Sequence, residues 1–306
     1  MNRGRKRVVI TGMGLMSPLG ETVDEYWQSL LKGKSGVGPM TLVDPAEYPC
    51  KVSGEVSNFD PGQYVNPKEA KRMARFSQLA VAAAAVAVED ANLDLSKENS
   101  ERLGVVMGNG IGGFPTTEDN ARVIFEKGGM KASPFFIPMI LPNMAAANVS
   151  RLYHLKGYTS TIITACAAGN QAIGEAAEAI RRGAADVLLA GACEAGICQL
   201  GLGGFNVIRS LTRNNEPPEG ASRPFDANRD GFVPAGGAEP ALRTAPTRSR
   251  KRRSNSARAR GSACSRSFAS TTAASCGGNS PSQNRRISLA VGALLMTSRT
   301  SSWPKT

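Results

Sequence analysis

Apolar and polar positions alternate in blocks over the first 240 residues. Residues 7–11 carry Val8, Val9 and Ile10 and run into Gly12-Met13-Gly14, which predicts a first strand and a tight turn. Thr22-Val23-Asp24-Glu25 has the spacing of a capping box and predicts a helix running toward Lys32. Residues 71–92 are Ala-rich, with an almost wholly apolar centre from Leu79 to Val88, so they predict one long, deeply buried helix. Residues 103–107 read as a buried strand ending in Gly108-Asn109-Gly110-Ile111-Gly112-Gly113. Helical pattern follows over 142–152, strand over 160–164, helix over 171–182 and strand over 186–190. Such alternation predicts a layered α/β domain.

The pattern dissolves after Glu239. Thr247-Arg248-Ser249-Arg250-Lys251-Arg252-Arg253 opens a stretch dominated by Ser, Thr and Arg, with neither helical nor strand period. Charge follows the same division. The chain of 306 residues has a formal net charge of +12. Residues 241–306 hold 13 Lys+Arg and no acid, whereas the first 240 residues hold 24 basic and 25 acidic side chains. The basic excess therefore belongs to the tail and says nothing about partners of the patterned part. Two segments are expected: a domain over 1–235, and an Arg/Ser-rich, irregular or disordered tail over 236–306. The abruptness of the change favours out-of-frame translation of that tail over ordinary disorder.

Composition excludes several classes. Six cysteines are scattered and there is one histidine, His154, so neither a disulfide framework nor a metal site is expected. No cofactor is expected either: Gly110, Gly112 and Gly113 lack the Lys-Ser/Thr of a phosphate loop and the full dinucleotide fingerprint. The apolar run after the basic N-terminus is too short for a signal segment, and 287–296 is far short of a membrane span. A cytoplasmic protein without membrane or nucleic-acid partners is expected. An Arg-rich tail binding phosphates nonspecifically ranks last among the alternatives.

One cysteine stands out. Cys166 lies in Thr164-Ala165-Cys166-Ala167-Ala168-Gly169, directly after the apolar run Ile162-Ile163 and before a predicted helix. At a helix N-terminus, unpaired N–H groups and the helix dipole stabilise a thiolate. Small neighbours leave room for a substrate. The competing reading is an inert core cysteine, and position alone does not separate the two.

Longer motifs do. Val8-Val9-Ile10-Thr11-Gly12-Met13-Gly14 with Ser17-Pro18-Leu19-Gly20 is followed by Gly108-Asn109-Gly110-Ile111-Gly112-Gly113 and Ser133-Pro134-Phe135-Phe136-Ile137-Pro138. Pro142-Asn143-Met144-Ala145-Ala146 and the Cys166 segment come next, then Ser222-Arg223-Pro224-Phe225-Asp226 and Arg229-Asp230-Gly231-Phe232-Val233. Over residues 7–235 the chain resembles the β-ketoacyl-acyl-carrier-protein synthases, most closely the synthase II type of the thiolase-like superfamily. The resemblance implies the N-terminal half of the thiolase-like fold (βαβαβαββ). It implies decarboxylative condensation of malonyl-acyl carrier protein with an acyl thioester on Cys166, in fatty acid synthesis. By the same resemblance Ile111, Phe136 and Phe205 belong to substrate binding, with Phe136 also near a dimer contact. Lys68, Lys71, Arg72 and Arg209 become candidates for docking the acidic carrier protein. Plain core packing remains the alternative for Ile111 and Phe205. A solvated helix face remains the alternative for Lys68, Lys71, Arg72 and Arg75. A homodimer is expected of the family.

The family's condensation also uses two histidines, a lysine and a Gly-Phe-Gly-Gly oxyanion loop from its C-terminal half. None of those motifs occurs in this sequence, and His154, in Tyr153-His154-Leu155, reads as a helix-end histidine. The expectation is a condensing-enzyme nucleophile without its partners: catalytically incomplete and poorly covered on one face.

Overall fold

The computed structural model describes residues 7–239 and 294–297. These lie in one compact unit, 1–246 with 286–306; the second unit, 247–285, is outside the described residues, as is the basic run from Thr247. In chain order the elements are β1 (Val9–Met13), α1 (Val23–Leu31), β2 (Val37–Pro39), β3 (Val52–Gly54), α2 (Pro67–Ala70) and α3 (Arg75–Asp90). Then come β4 (Leu103–Gly108), α4 (Phe114–Lys127), α5 (Phe136–Ile140), α6 (Met144–Leu152), β5 (Thr159–Ile162) and α7 (Ala168–Arg181). The last are β6 (Val187–Ala195), α8 (Gln199–Val207), β7 (Gly236–Glu239) and β8 (Leu294–Thr297).

The main sheet has the order β1-β8-β6-β4-β5, with β7 also on β6. Strands β4, β5 and β6 are mutually parallel, with Val105 opposite both Thr159 and Leu189. The period of two in β4 and β6 sorts their side chains onto two faces. Val105, Met107, Val187 and Leu189 pack against α3 and α6. Val106, Leu188 and Ala190 pack against Ala172, Ala176, Ala179 and Ile180 of α7. This is the layered α/β half expected from the sequence. A separate β2–β3 hairpin joins Met40, Cys50 and Val52 to Ile197, Leu202 and Leu211.

The capping box forms as the sequence predicts. Thr22 Oγ1 accepts the Glu25 N–H, and the Glu25 carboxylate accepts the Thr22 N–H. The long buried helix predicted over 71–92 forms as α3, but it starts only at Arg75 and ends at Asp90. A short α2 ends at Ala70, and Ala74 caps α3 in an extended conformation (ψ 158°). The cause is long-range: Arg75 donates to the carbonyls of Val56 (2.8 Å) and Phe59 (3.3 Å), and its guanidinium stacks on the Phe59 ring. These contacts fix where α3 starts and override local helix propensity.

Of the tail expected to be irregular, residues 236–239 and 294–297 are described, and both are strands. The rest of it lies outside the described residues. β7 runs antiparallel to β6, with Gly236 opposite Ala195 and Glu239 opposite Ala192. Ala238 is fully buried, and its N–H and C=O bond Met16 at 2.9 and 2.6 Å. The domain boundary drawn at residue 235 therefore cuts into paired sheet. β8 continues along the same edge of β6 in the same direction, with Leu294 opposite Ala190 and Thr297 opposite Val187. Its other edge pairs with β1.

Candidate active site

The parallel strands β4, β5 and β6 end side by side, and open-sheet α/β proteins place chemistry beyond such carboxyl ends. After β5 the chain turns sharply through Ala165, which takes the left-handed conformation (φ 49°), costing about 1–2 kcal/mol for a non-glycine residue. A single tight turn, Ala165–Ala167, then feeds α7. Cys166 sits in that turn with its side chain exposed. The close fit behind it depends on Gly108. A Cβ there would come 2.5 Å from the Ala168 backbone carbonyl.

The described cysteines separate cleanly. Cys50, Cys193 and Cys198 are buried, and burial pushes each thiol above its ordinary value, to about 11 for Cys198. Among the described residues all four are free thiols. His154 is exposed in a left-handed conformation (φ 54°) two residues after α6. It precedes β5, whereas Cys166 follows it, so the strand separates them.

Ile111 lies in the loop after β4, next to the cysteine turn. The Asn109 N–H bonds Ile162 O (3.0 Å) at the end of β5. Asn109 Nδ2 donates to Cys193 O (2.6 Å), and its Oδ1 accepts the Gly112 N–H (2.5 Å). Ile111 is half-buried and lies over Gly196, at the end of β6. The sequence reading missed Glu194, which completes this loop. Its carboxylate accepts the N–H groups of Gly110 (2.9 Å), Ile111 (3.2 Å) and Ala195 (3.2 Å). Burial raises its pKa above the ordinary carboxylate value, with the three N–H donors working against that rise. A lone acid inside an apolar run, Ala190-Gly191-Ala192-Cys193-Glu194-Ala195, is the one signal that could have found it.

Phe136 opens α5, a half-buried position on a helix whose end meets the same loop: Gly113 donates to Ile140 O (3.0 Å). Phe205 is on α8, beyond β6, and is 39% exposed. Core packing thus does not describe Phe205. The basic candidates do not share one helical face. Lys68 is in α2, while Lys71 and Arg72 lie in the turn before α3, all three exposed. Arg72 lies 4.8 Å above the Phe135 ring and pairs with Glu69. That turn borders the Gly112-Gly113 loop, since a Cβ on Gly113 would touch the Ala74 side chain. Arg75 is held inward on the Val56 and Phe59 carbonyls. Arg209 is exposed and left-handed (φ 55°) after α8.

One face of α7 buries Ala172, Ala176 and Ile180, while Asn170, Gln171, Gly174 and Glu178 face outward. Ile163, Val207, Ile208, Phe225 and Phe232 are exposed large apolar side chains. Among the described residues no helix is long and apolar enough to cross a membrane, and no group of acids, cysteines and histidine could hold a metal ion.

Residues 5–241 match the family described as "Beta-ketoacyl synthase, N-terminal domain". The 3-oxoacyl-[acyl-carrier-protein] synthase 2 of Synechocystis sp. is 43% identical over 232 residues, and that of Coxiella burnetii 45% over 234. Each match covers 76% of this chain and 56% of the relative, so the chain spans little more than half of their length. Among solved structures, a beta-ketoacyl synthase from Burkholderia phymatum has a TM-score of 0.69 at 31% identity, covering 78% of this chain and 58% of its own. The ishigamide ketosynthase/chain length factor has a TM-score of 0.70 at 30% identity, with the same two coverages. A type II polyketide ketosynthase in complex with its acyl-carrier protein has a TM-score of 0.58 at 27% identity, covering 68% and 56%.

Proposed function

The chain belongs to the β-ketoacyl synthase family, and from that premise we propose that Cys166 is its acyl-accepting nucleophile, in the service of 3-oxoacyl-acyl-carrier-protein synthesis. The observation that carries this reading is the strained turn at Ala165. It presents an exposed thiol at the joint carboxyl ends of β4, β5 and β6, while the other described cysteines are buried. In the loading step the Cys166 thiolate attacks the carbonyl carbon of an acyl thioester. The bond from that carbon to the carrier's sulfur breaks, and the carrier leaves as its thiol after taking a proton. Ile111 and Phe136 are proposed to border the acyl chain and Phe205 to stand at its outer side. Lys68, Lys71, Arg72 and Arg209 are proposed to meet the acidic carrier, with long-range attraction aiding encounter.

Condensation asks for more than loading. It needs donors aimed at the oxygen that becomes negative in the transition state, and removing one such donor costs roughly 10²–10³ in rate. The only histidine of these 306 residues, His154, is separated from Cys166 by β5. We therefore propose that this polypeptide loads an acyl group but does not condense it. Residues from about 236 onward are proposed to be out of frame, because composition changes abruptly there. Reading the gene's other two frames past that codon tests this: absence of any histidine motif in both would overturn it. A homodimer in the cytoplasm is proposed; among the described residues β5 is a terminal strand of the sheet, where a second copy would add.

Mass spectrometry of the chain after incubation with acyl-acyl carrier protein tests the central reading. Acylation at Cys166, abolished in Cys166→Ala, is expected, with no elongated product on adding malonyl-carrier protein. No acylation at Cys166 would sink it.

A further inference from the structure

We propose that Glu194 is a positioning residue that fixes how deep an acyl chain can reach, by holding the backbone of Ile111. The inference rests on the reading of Cys166 as the acyl acceptor and of Ile111 as a border of the acyl site.

Three observations carry it. Glu194 is a half-buried carboxylate with no Lys or Arg partner among the described ion pairs, and its oxygens are met by backbone N–H groups. A buried charge without a cation is costly unless hydrogen bonds satisfy it, so such an acid persists where it holds something in place. What it holds is specific. Oε2 takes both the Gly110 and Ile111 N–H groups, and Oε1 takes Ala195 on its own strand. The carboxylate thus clamps the loop after β4 to the end of β6.

The surrounding glycines fit the same design. A Cβ on Gly110 would come 2.8 Å from Glu194 Oε2, so the carboxylate reaches the loop because residue 110 lacks a side chain. A Cβ on Gly196 would overlap Ile111 Cδ1, so the isoleucine lies flat across the end of β6. Asn109 anchors the base of the loop independently, through Cys193 O and Gly112 N. Losing Glu194 therefore frees Ile111 without dissolving the loop. Glutamine cannot replace it fully, since its amide nitrogen cannot accept an N–H.

The test uses the full chain loaded with hexanoyl- or dodecanoyl-pantetheine, following Cys166 acylation by mass spectrometry. In Glu194→Ala the ratio of long- to short-chain acylation is expected to change about tenfold, the discrimination that one or two methylenes command in an apolar pocket. Ile111→Ala should change it in the same sense, and the double variant should add little. Hydrogen exchange at the Gly110 and Ile111 amides should rise in Glu194→Ala and less in Glu194→Gln, which serves if the alanine variant fails to fold. Rates that fall equally for both chain lengths, with the ratio unchanged, would mean that Glu194 only supports the fold. A wild-type Cys166 that takes up neither acyl group overturns the underlying reading of the site, and this inference with it.

Discussion

The side chain of Ile111 lies across Gly196, so close that a Cβ at residue 196 would overlap its Cδ1 atom. The end of β6 is thus shaped by an absent side chain. Gly196→Ala should force Ile111 off its rotamer and cost about 1–3 kcal/mol, as overpacking does. Denaturant titration checks the stability. Adding Ile111→Ala should restore most of the loss.

Gly108 has a stricter requirement, because its would-be Cβ meets backbone rather than a movable side chain: the Ala168 carbonyl at 2.5 Å and Gly169 N at 2.8 Å. Gly108→Ala should displace the first turn of α7. The expected result is a lower melting temperature and a changed alkylation rate at Cys166. An unchanged rate would show that the turn does not depend on this contact.

A small thiol reagent applied to the native chain should modify Cys166 ahead of Cys50, Cys193 and Cys198, the three buried and harder to ionise. Peptide mapping after limited alkylation reads this directly. Cys166→Ala should leave those three protected until the chain is unfolded.

Glu55 gives a pH signature. Burial alone would raise its pKa, but the Thr41 hydroxyl (2.5 Å), the Thr41 N–H (2.9 Å), the Ser53 hydroxyl (2.7 Å) and the Leu42 N–H (3.2 Å) outweigh burial and lower it. A carboxylate whose folded value is depressed stabilises the fold above its unfolded value, near 4.3, and loses that contribution as pH falls through the folded value. Glu55→Gln should therefore weaken the β2–β3 hairpin at neutral pH by about 1–3 kcal/mol. It should also flatten the acid limb of the stability curve. Urea melts at several pH values measure both.

Large apolar side chains such as Val207, Ile208 and Phe225 stand in solvent, at 82%, 69% and 99% exposure. Contiguous exposed apolar surface favours association. The chain should bind a hydrophobic dye while folded and show mass that rises with concentration in light scattering. Val207→Ser with Ile208→Ser should reduce both.

Much of this was readable from sequence where local chemistry decides. The Thr22–Glu25 capping box, the six buried residues of β4 and the cysteine turn all follow from residue type and spacing. The start of α3 at Arg75 was not readable, because carbonyls of Val56 and Phe59 hold that arginine from elsewhere in the chain. Helix α4 escaped too, since among its residues only Asn120 is buried and no apolar stripe marks it. Within the site, Cys166 and Ile111 were found through long motifs. Glu194 was not, because its role depends on backbone N–H groups some 80 residues away in sequence.

The sheet carries one last consequence. β7 and β8 lie along a single track on β6, and residues 240–293 connect them. Among the described residues, β8 bridges β1 to β6 in the sheet order. Chemically, the final strand is a ligand that the chain itself supplies to the sheet. Supplied covalently, it meets its site at an effective concentration that a separate molecule would not have. A single proteolytic nick within 240–293 would thus turn closure of this sheet from a property of the chain into a function of its dilution.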